Sequence, residues 1–253
     1  MNPRQPHVDW DSLFGDDYDH FDLPDLTPEL SAKEASDMIR LGGFEPGTTL
    51  LDAPCGHGRH ANVLASRGYT VTGIDRDERF LSMAAEEARQ MGVDVEYRHV
   101  DLREMSFDAE FDGAVSWYSS FGYFDDETDR DILRRYRRAL RPGGRFLLDM
   151  HSPYRHIPSV LANHEMHVDV LRRGADMAID IQELDAVASR YYAEKITIRD
   201  EKVERAHYSV RMFNAPEILD WFRTAGFAAA RVMDERGGTF TVGSRRLVVL
   251  GTA

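Results

Sequence analysis

The sequence predicts an α/β fold, in which a mostly parallel sheet is covered on both faces by helices and a second, antiparallel sheet is inserted late in the chain. Three observations predict it. Short apolar runs alternate with amphipathic segments of helical length from Thr48 to Met150. Strand-like segments then follow one another without helices between Ser152 and Val210, and the helix–strand rhythm resumes to the end. Strands separated by helices imply right-handed crossovers and a parallel sheet. At 253 residues, 42% hydrophobic and 30% charged, the chain can bury a full core, and one large domain with an elaboration fits better than two equal ones.

Residues 1–46 form the first unit. Trp10, Phe14, Tyr18 and Phe21 stand among Asp9, Asp11, Asp16, Asp17, Asp19 and Asp22. Their loosely helical spacing fits either a short amphipathic helix on the core or a lid that closes over a ligand. A helix is predicted from Ser31 to Leu41, with Ser31 as N-cap, Glu34 at the capping-box position and Gly42-Gly43 at its end.

Residues 47–151 carry the alternation: strands at Thr48–Asp52, Tyr69–Asp75, Val95–Val100, Asp112–Trp117 and Arg145–Met150, and helices at Gly58–Ser66, Glu78–Gln90 and Thr128–Leu140. Pro142-Gly143-Gly144 stops the last of these helices. Residues 152–210 are predicted as strands His167–Leu171, Ala178–Glu183, Arg190–Arg199 and Lys202–Val210, an antiparallel insertion that either covers an acceptor site or forms a homodimer contact. Residues 211–253 complete the core with a helix at Ala215–Ala225, bearing Pro216 in its first turn, and strands at Ala229–Met233 and Leu247–Leu250.

Composition excludes several classes of partner. Lys plus Arg number 31 and Asp plus Glu 44, giving 31 − 44 = −13. A surface that acidic repels phosphate backbones, and the densest basic stretch, Arg134-Arg135-Tyr136-Arg137-Arg138, spreads around a helix, so no nucleic-acid partner is expected. The one cysteine, Cys55, allows no intrachain disulfide and no cysteine-based metal site. The histidines lack metal-ligand spacing, and no metal is expected. No uncharged apolar run approaches a membrane span and the start lacks a signal-peptide core, so the expectation is a cytoplasmic protein without a membrane partner.

The chemistry concentrates at Leu50-Leu51-Asp52-Ala53-Pro54-Cys55-Gly56-His57-Gly58-Arg59-His60-Ala61, where the first strand turns into a helix. Helix amides point there at whatever lies above the strand ends, and glycines let a ligand approach the backbone. Gly56-x-Gly58-x-x-Ala61 satisfies the dinucleotide pattern G-x-G-x-x-G/A. Asp75 ends the second strand, where a carboxylate can take both hydroxyls of a ribose. These two features indicate a ribose nucleoside without choosing between a dinucleotide and an adenosyl sulfonium. Asp52, at the first strand's end, suits a ligand carrying an ammonium and a sulfonium better than a pyrophosphate. Asp101, followed by Leu102 at the end of the third strand, is placed to accept from an adenine amino group.

With these residues the chain resembles the class I S-adenosylmethionine (SAM)-dependent methyltransferases, over roughly residues 47–151 and 211–253. The family's acid-x-Gly-x-Gly-x-Gly motif corresponds to Asp52-Ala53-Pro54-Cys55-Gly56-His57-Gly58, with Pro54 where the family usually has its first glycine. The ribose acid corresponds to Asp75 in Gly73-Ile74-Asp75-Arg76, and the adenine-side acid to Asp101. Phe111-Asp112-Gly113-Ala114-Val115 and Leu140-Arg141-Pro142-Gly143-Gly144-Arg145-Phe146 match the segments of the fourth and fifth strands. The resemblance implies a Rossmann-like three-layer sandwich with a seven-stranded sheet and an antiparallel last strand. It also implies SAM as cofactor, with S-adenosylhomocysteine (SAH) as product.

The implied acceptor is a small molecule methylated on nitrogen or oxygen by in-line displacement. Alignment can supply much of the rate, and a dedicated base adds only about 10²–10⁴-fold. Trp117-Tyr118-Ser119-Ser120-Phe121-Gly122-Tyr123-Phe124 is read either as core packing or as a wall over the cofactor, with Trp117 and Phe121 as its neighbours. His151, ending the fifth strand, is the candidate base, against a solvated or capping histidine. Tyr18 is the lid residue expected over the sulfonium. An NAD-dependent oxidoreductase and a non-catalytic adenosyl-binding protein are the alternatives.

Overall fold

The computed structural model describes residues 5–155 and 166–253. Helices α1 (Trp10–Leu13), α2 (Asp16–Phe21) and α3 (Pro28–Gly42) precede the alternation of β1 (Thr49–Asp52), α4 (Arg59–Ser66), β2 (Thr70–Asp75), α5 (Glu78–Met91), β3 (Val95–His99), β4 (Phe111–Ser116), α6 (Asp126–Ala139) and β5 (Leu140–His151). Then come β6 (Met166–Arg173), β7 (Asp176–Asp185), β8 (Arg190–Arg199), β9 (Lys202–Arg211), α7 (Ala215–Thr224), β10 (Ala229–Met233) and β11 (Arg246–Thr252). Residues 156–165 of the predicted insertion lie outside the described residues.

The main sheet has the order β10-β11-β5-β4-β1-β2-β3. Its strands from β3 to β5 run parallel, and β11 is antiparallel to both β5 and β10. This is the predicted seven-stranded sheet with an antiparallel closing strand. Successive residues of its strands feed opposite faces. Leu51, Ala114 and Phe146 join Tyr136 and Trp221 in the cluster on the side of α6 and α7. Leu50, Val115 and Leu147 join Met38 and Leu64 on the side of α3 and α4. Burial on both faces explains why these strands read as continuous apolar runs.

Two boundaries differ from the sequence expectation by three residues or more. Helix α3 begins a turn earlier, because the Thr27 side chain caps Leu30 N and Pro28 occupies the first turn. A proline there fixes φ and forfeits only an amide that would lack a helical partner. Ser31 is thus helical and donates to Thr27 O at 3.0 Å, while Glu34 turns to Arg59 and His60. Strand β5 begins at Leu140, with the register against β4 shifting between Phe111 and Gly113, so Pro142-Gly143-Gly144 forms an irregular strand entry.

Strands β6-β7-β8-β9 make a separate antiparallel sheet. The N-terminal arm is tied to both units. Asp9 N donates to His207 O at 2.8 Å, and His207 N donates to Asp9 Oδ2 at 2.7 Å. Arg79 of α5 pairs with Asp19 and donates to Phe14 O. The arm thus forms two short packed helices above the strand ends.

Candidate active site

The turn after β1 is organised by Asp75. Its Oδ2 accepts from Gly56 N at 2.8 Å and its Oδ1 from Asp77 N at 3.0 Å. One carboxylate thus holds the turns after the first and second strands together. Burial raises its pKa, against the lowering effect of the Asp77 and Gly56 amides. The two glycines do different work. Gly56 has φ +54 and open space where a side chain would be, which leaves the turn accessible to a ligand. Gly58 has φ +78, and a Cβ there would come within 2.6 Å of the Ala84 methyl, so it sets the close packing of α4 on α5.

Asp52 lies beneath this turn, 1% exposed. Burial pushes its carboxyl up to about 7, against the attraction of Arg59 and with the Asp75 charge adding to the rise. Arg59, the first residue of α4, is 7% exposed and bonded to Glu34. Its guanidinium lies 5.0 Å from the Tyr118 ring centroid. Among the described residues, Asp52 Oδ2 and Arg59 Nη2 are buried and have no hydrogen-bond partner. A buried guanidinium donor without a partner, lining the cavity, suits an anionic ligand group.

A cavity of about 770 Å³ opens above the strand ends, roofed by the arm and bounded by the antiparallel sheet. Tyr18, Pro54, Gly56, Asp75, Arg76, Asp101, Leu102, Trp117 and His151 all line it. The Ala53–Pro54 peptide is cis. Tyr18 packs against Phe14 and Phe80. Arg76 lies 4.9 Å from the Trp10 ring centroid and 3.8 Å from Asp101. Asp101 accepts from Arg103 through both oxygens, and although burial works against it, these bonds hold its pKa below the usual range.

Asp52, Gly58 and Phe121 are not part of the lining. Asp52 lies below the turn, Gly58 is against α5, and Phe121 is core, 3% exposed and 5.7 Å from the Phe213 ring. His151 accepts at Nδ1 from Arg246 Nη1 at 3.1 Å. A guanidinium only donates, so the neutral imidazole carries its proton on Nε2. That geometry does not suit the base expected from sequence.

The sequence reading missed Arg59, Asp180, Lys195 and Tyr208, all of which line the cavity. For Arg59 a signal existed: a cation at the first position of the helix that follows the glycine turn. The others follow from strand register and the path of the arm, which local sequence does not encode.

Residues 50–144 match the family described as Methyltransferase domain. This part of the chain is a methyltransferase domain. A 2-phytyl-1,4-naphtoquinone methyltransferase from Synechococcus elongatus is 35% identical over 124 residues, 46% of this chain and 52% of that protein. The chain thus spans about half the length of the curated relatives it matches. In fold, an SAM-dependent methyltransferase from Clostridium acetobutylicum superposes with a TM-score of 0.74 at 15% identity, over 95% of this chain and 98% of that one. An amino pentose methyltransferase from Micromonospora echinaspora, solved with SAM bound, gives 0.63 at 18% identity over 88% and 90%.

The lining residues are compatible with SAM in their chemistry. Asp75 keeps lone pairs beyond its two amide bonds that would suit ribose hydroxyls, Asp101 and Leu102 line the cavity just after the third strand, and Arg59 Nη2 is a buried donor without a partner among the described residues. Among the described residues no group of three or more His, Cys, Asp or Glu is placed to hold a metal ion, and no helix is long and apolar enough to cross a membrane.

Proposed function

We propose that this chain is a SAM-dependent methyltransferase acting on a nitrogen or oxygen of a small molecule. The observation that carries the proposal is the cavity above the strand ends, lined by the glycine turn that Asp75 holds and by Arg59, whose buried Nη2 has no hydrogen-bond partner among the described residues. Bound there, SAM would supply a sulfonium-activated methyl group for in-line displacement. The chain's own part is to orient and to exclude water: the arm roofs the cavity, Tyr18 and Trp117 supply ring faces that favour a cation, and the strand ends fix the nucleoside. A dinucleotide gains nothing from a buried carboxylate beneath the turn, and antiparallel β10 and β11 stand where a second mononucleotide half would be. The test is incubation with methyl-labelled SAM and a panel of small amines and alcohols. Label is expected on nitrogen or oxygen of at least one class; SAH binding without transfer to any of them would favour the non-catalytic alternative.

The buried carboxyl of Asp52 predicts a pH dependence of stability. Without ligand, the raised carboxyl of Asp52 contributes stability below about pH 4 that is lost as pH rises through about 7. Thermal unfolding across this range checks it, and Asp52→Asn should flatten the dependence.

With its Nδ1 held by Arg246, His151 is proposed not to act as the base. His151→Gln, which keeps a donor, is expected to retain turnover within about threefold; a loss of about 10²-fold or more would restore the role of base.

A further inference from the structure

Beyond the donor site, the cavity's walls from the antiparallel sheet carry an unbalanced charge. Asp180 of β7, Lys195 of β8 and Tyr208 of β9 all line the cavity. Asp180 and Lys195 are cross-strand partners, yet the Lys195 ammonium is committed to Asp22 Oδ2 at 2.7 Å. Asp180 Oδ1 accepts from the Tyr208 hydroxyl at 2.7 Å. Among the described residues no Lys, Arg or His pairs with Asp180 within the 4.0 Å of an ion pair. Asp22 therefore holds the ammonium at this end of the cavity, and Asp180 has no cation within ion-pair distance among the described residues.

The surroundings are aromatic. The Tyr191 and Tyr208 rings meet edge to face at 6.1 Å, and Tyr123 stands 5.4 Å from Trp10. Burial raises the pKa of Asp180, against the lowering effects of Tyr208 and Lys195. A carboxylate held away from water without a cation is costly, and ring faces add their own preference for positive charge. A hydroxyl would fill a lone pair but leave the charge uncompensated.

We propose that the methyl acceptor is an aliphatic amine whose ammonium is taken by Asp180, with Tyr208 holding the carboxylate in place and the tyrosine rings enclosing it. This deepens the methyltransferase reading and rests on it. The form bound by Asp180 is the ammonium; the inference concerns recognition and leaves the methylated atom within the acceptor open.

The test uses the full chain. SAH is titrated first by calorimetry, and its failure to bind would overturn the methyltransferase reading itself. The SAH-saturated chain is then titrated with matched pairs: cyclohexylamine against cyclohexanol, benzylamine against benzyl alcohol, and glucosamine against glucose. At least one amine is expected to bind about tenfold or more tightly than its alcohol, as a charge-assisted bond requires. Asp180→Asn should erase the preference, and Tyr208→Phe should weaken the amine about three- to tenfold. Both variants should keep SAH affinity within about twofold, which also reports that they fold. Equal binding of amines and alcohols, no binding of either, or a preference that survives in Asp180→Asn would overturn the inference.

Discussion

Replacing Asp75 with alanine is expected to weaken SAH binding about 100-fold, close to 3 kcal/mol, while the sheet stays folded. Two effects add. The ribose loses a charged acceptor, and each hydrogen bond to a charged group contributes about 1.5–3 kcal/mol. The amides of Gly56 and Asp77 also lose their shared partner, so the turn that receives the ligand is no longer set. Asp75→Asn retains an oxygen for one amide but not the charge, and should fall between the two. Calorimetry reads the affinity, and thermal unfolding separates it from stability. A change below about threefold would remove Asp75 from the ribose site.

Arg246→Ala is expected to cost about 3–5 kcal/mol of stability, the usual result of stranding one member of a buried ion pair, and about 10 °C in Tm for a chain of this size. Asp149 on β5 is 2% exposed. It accepts from Arg246 Nε at 2.9 Å and from Arg246 Nη2. It also accepts from Tyr118 N at 3.0 Å through the carboxylate, and from Ser119 N at 3.1 Å through its carbonyl. Arg246 Nη2 reaches Ser119 Oγ at 2.8 Å as well. Tyr118 and Ser119 have φ of +64 and +61, left-handed backbone that costs about 1–3 kcal/mol per residue and persists only where the surroundings enforce it. These residues line the cavity, so the variant should lose SAH affinity together with stability. Asp149→Leu combined with Arg246→Met should recover much of the stability, since an apolar pair replaces the buried charges. It should not recover the affinity, because the turn has lost its anchors.

Much of the fold was legible because its signals are periodic and local. Alternating apolar runs and amphipathic segments marked β1 to β5, and the strand-like segments read without helices between Ser152 and Val210 marked the antiparallel sheet β6–β9. The start of α3 was misplaced because Ser31 and Glu34 imitate a capping box, whereas Thr27 and Pro28 form the real cap. The glycine turn and Asp75 were legible as sequence spacing at strand ends. Phe121 was not, since an aromatic run does not say which rings face a cavity and which enter the core. Asp180 and Lys195 escaped for a further reason. Their roles come from cross-strand register and from Asp22 on the arm, far away in sequence.

The central claim is that the turn after Asp52 and the cavity above it receive an adenosyl amino acid and not a dinucleotide. Parallel calorimetric titrations of the full chain with SAH and with NADH test it most directly. SAH is expected to bind with a Kd of about 1–100 μM, about −5 to −8 kcal/mol, and NADH to give no saturable heat. Tight binding of NADH with none of SAH would contradict the claim.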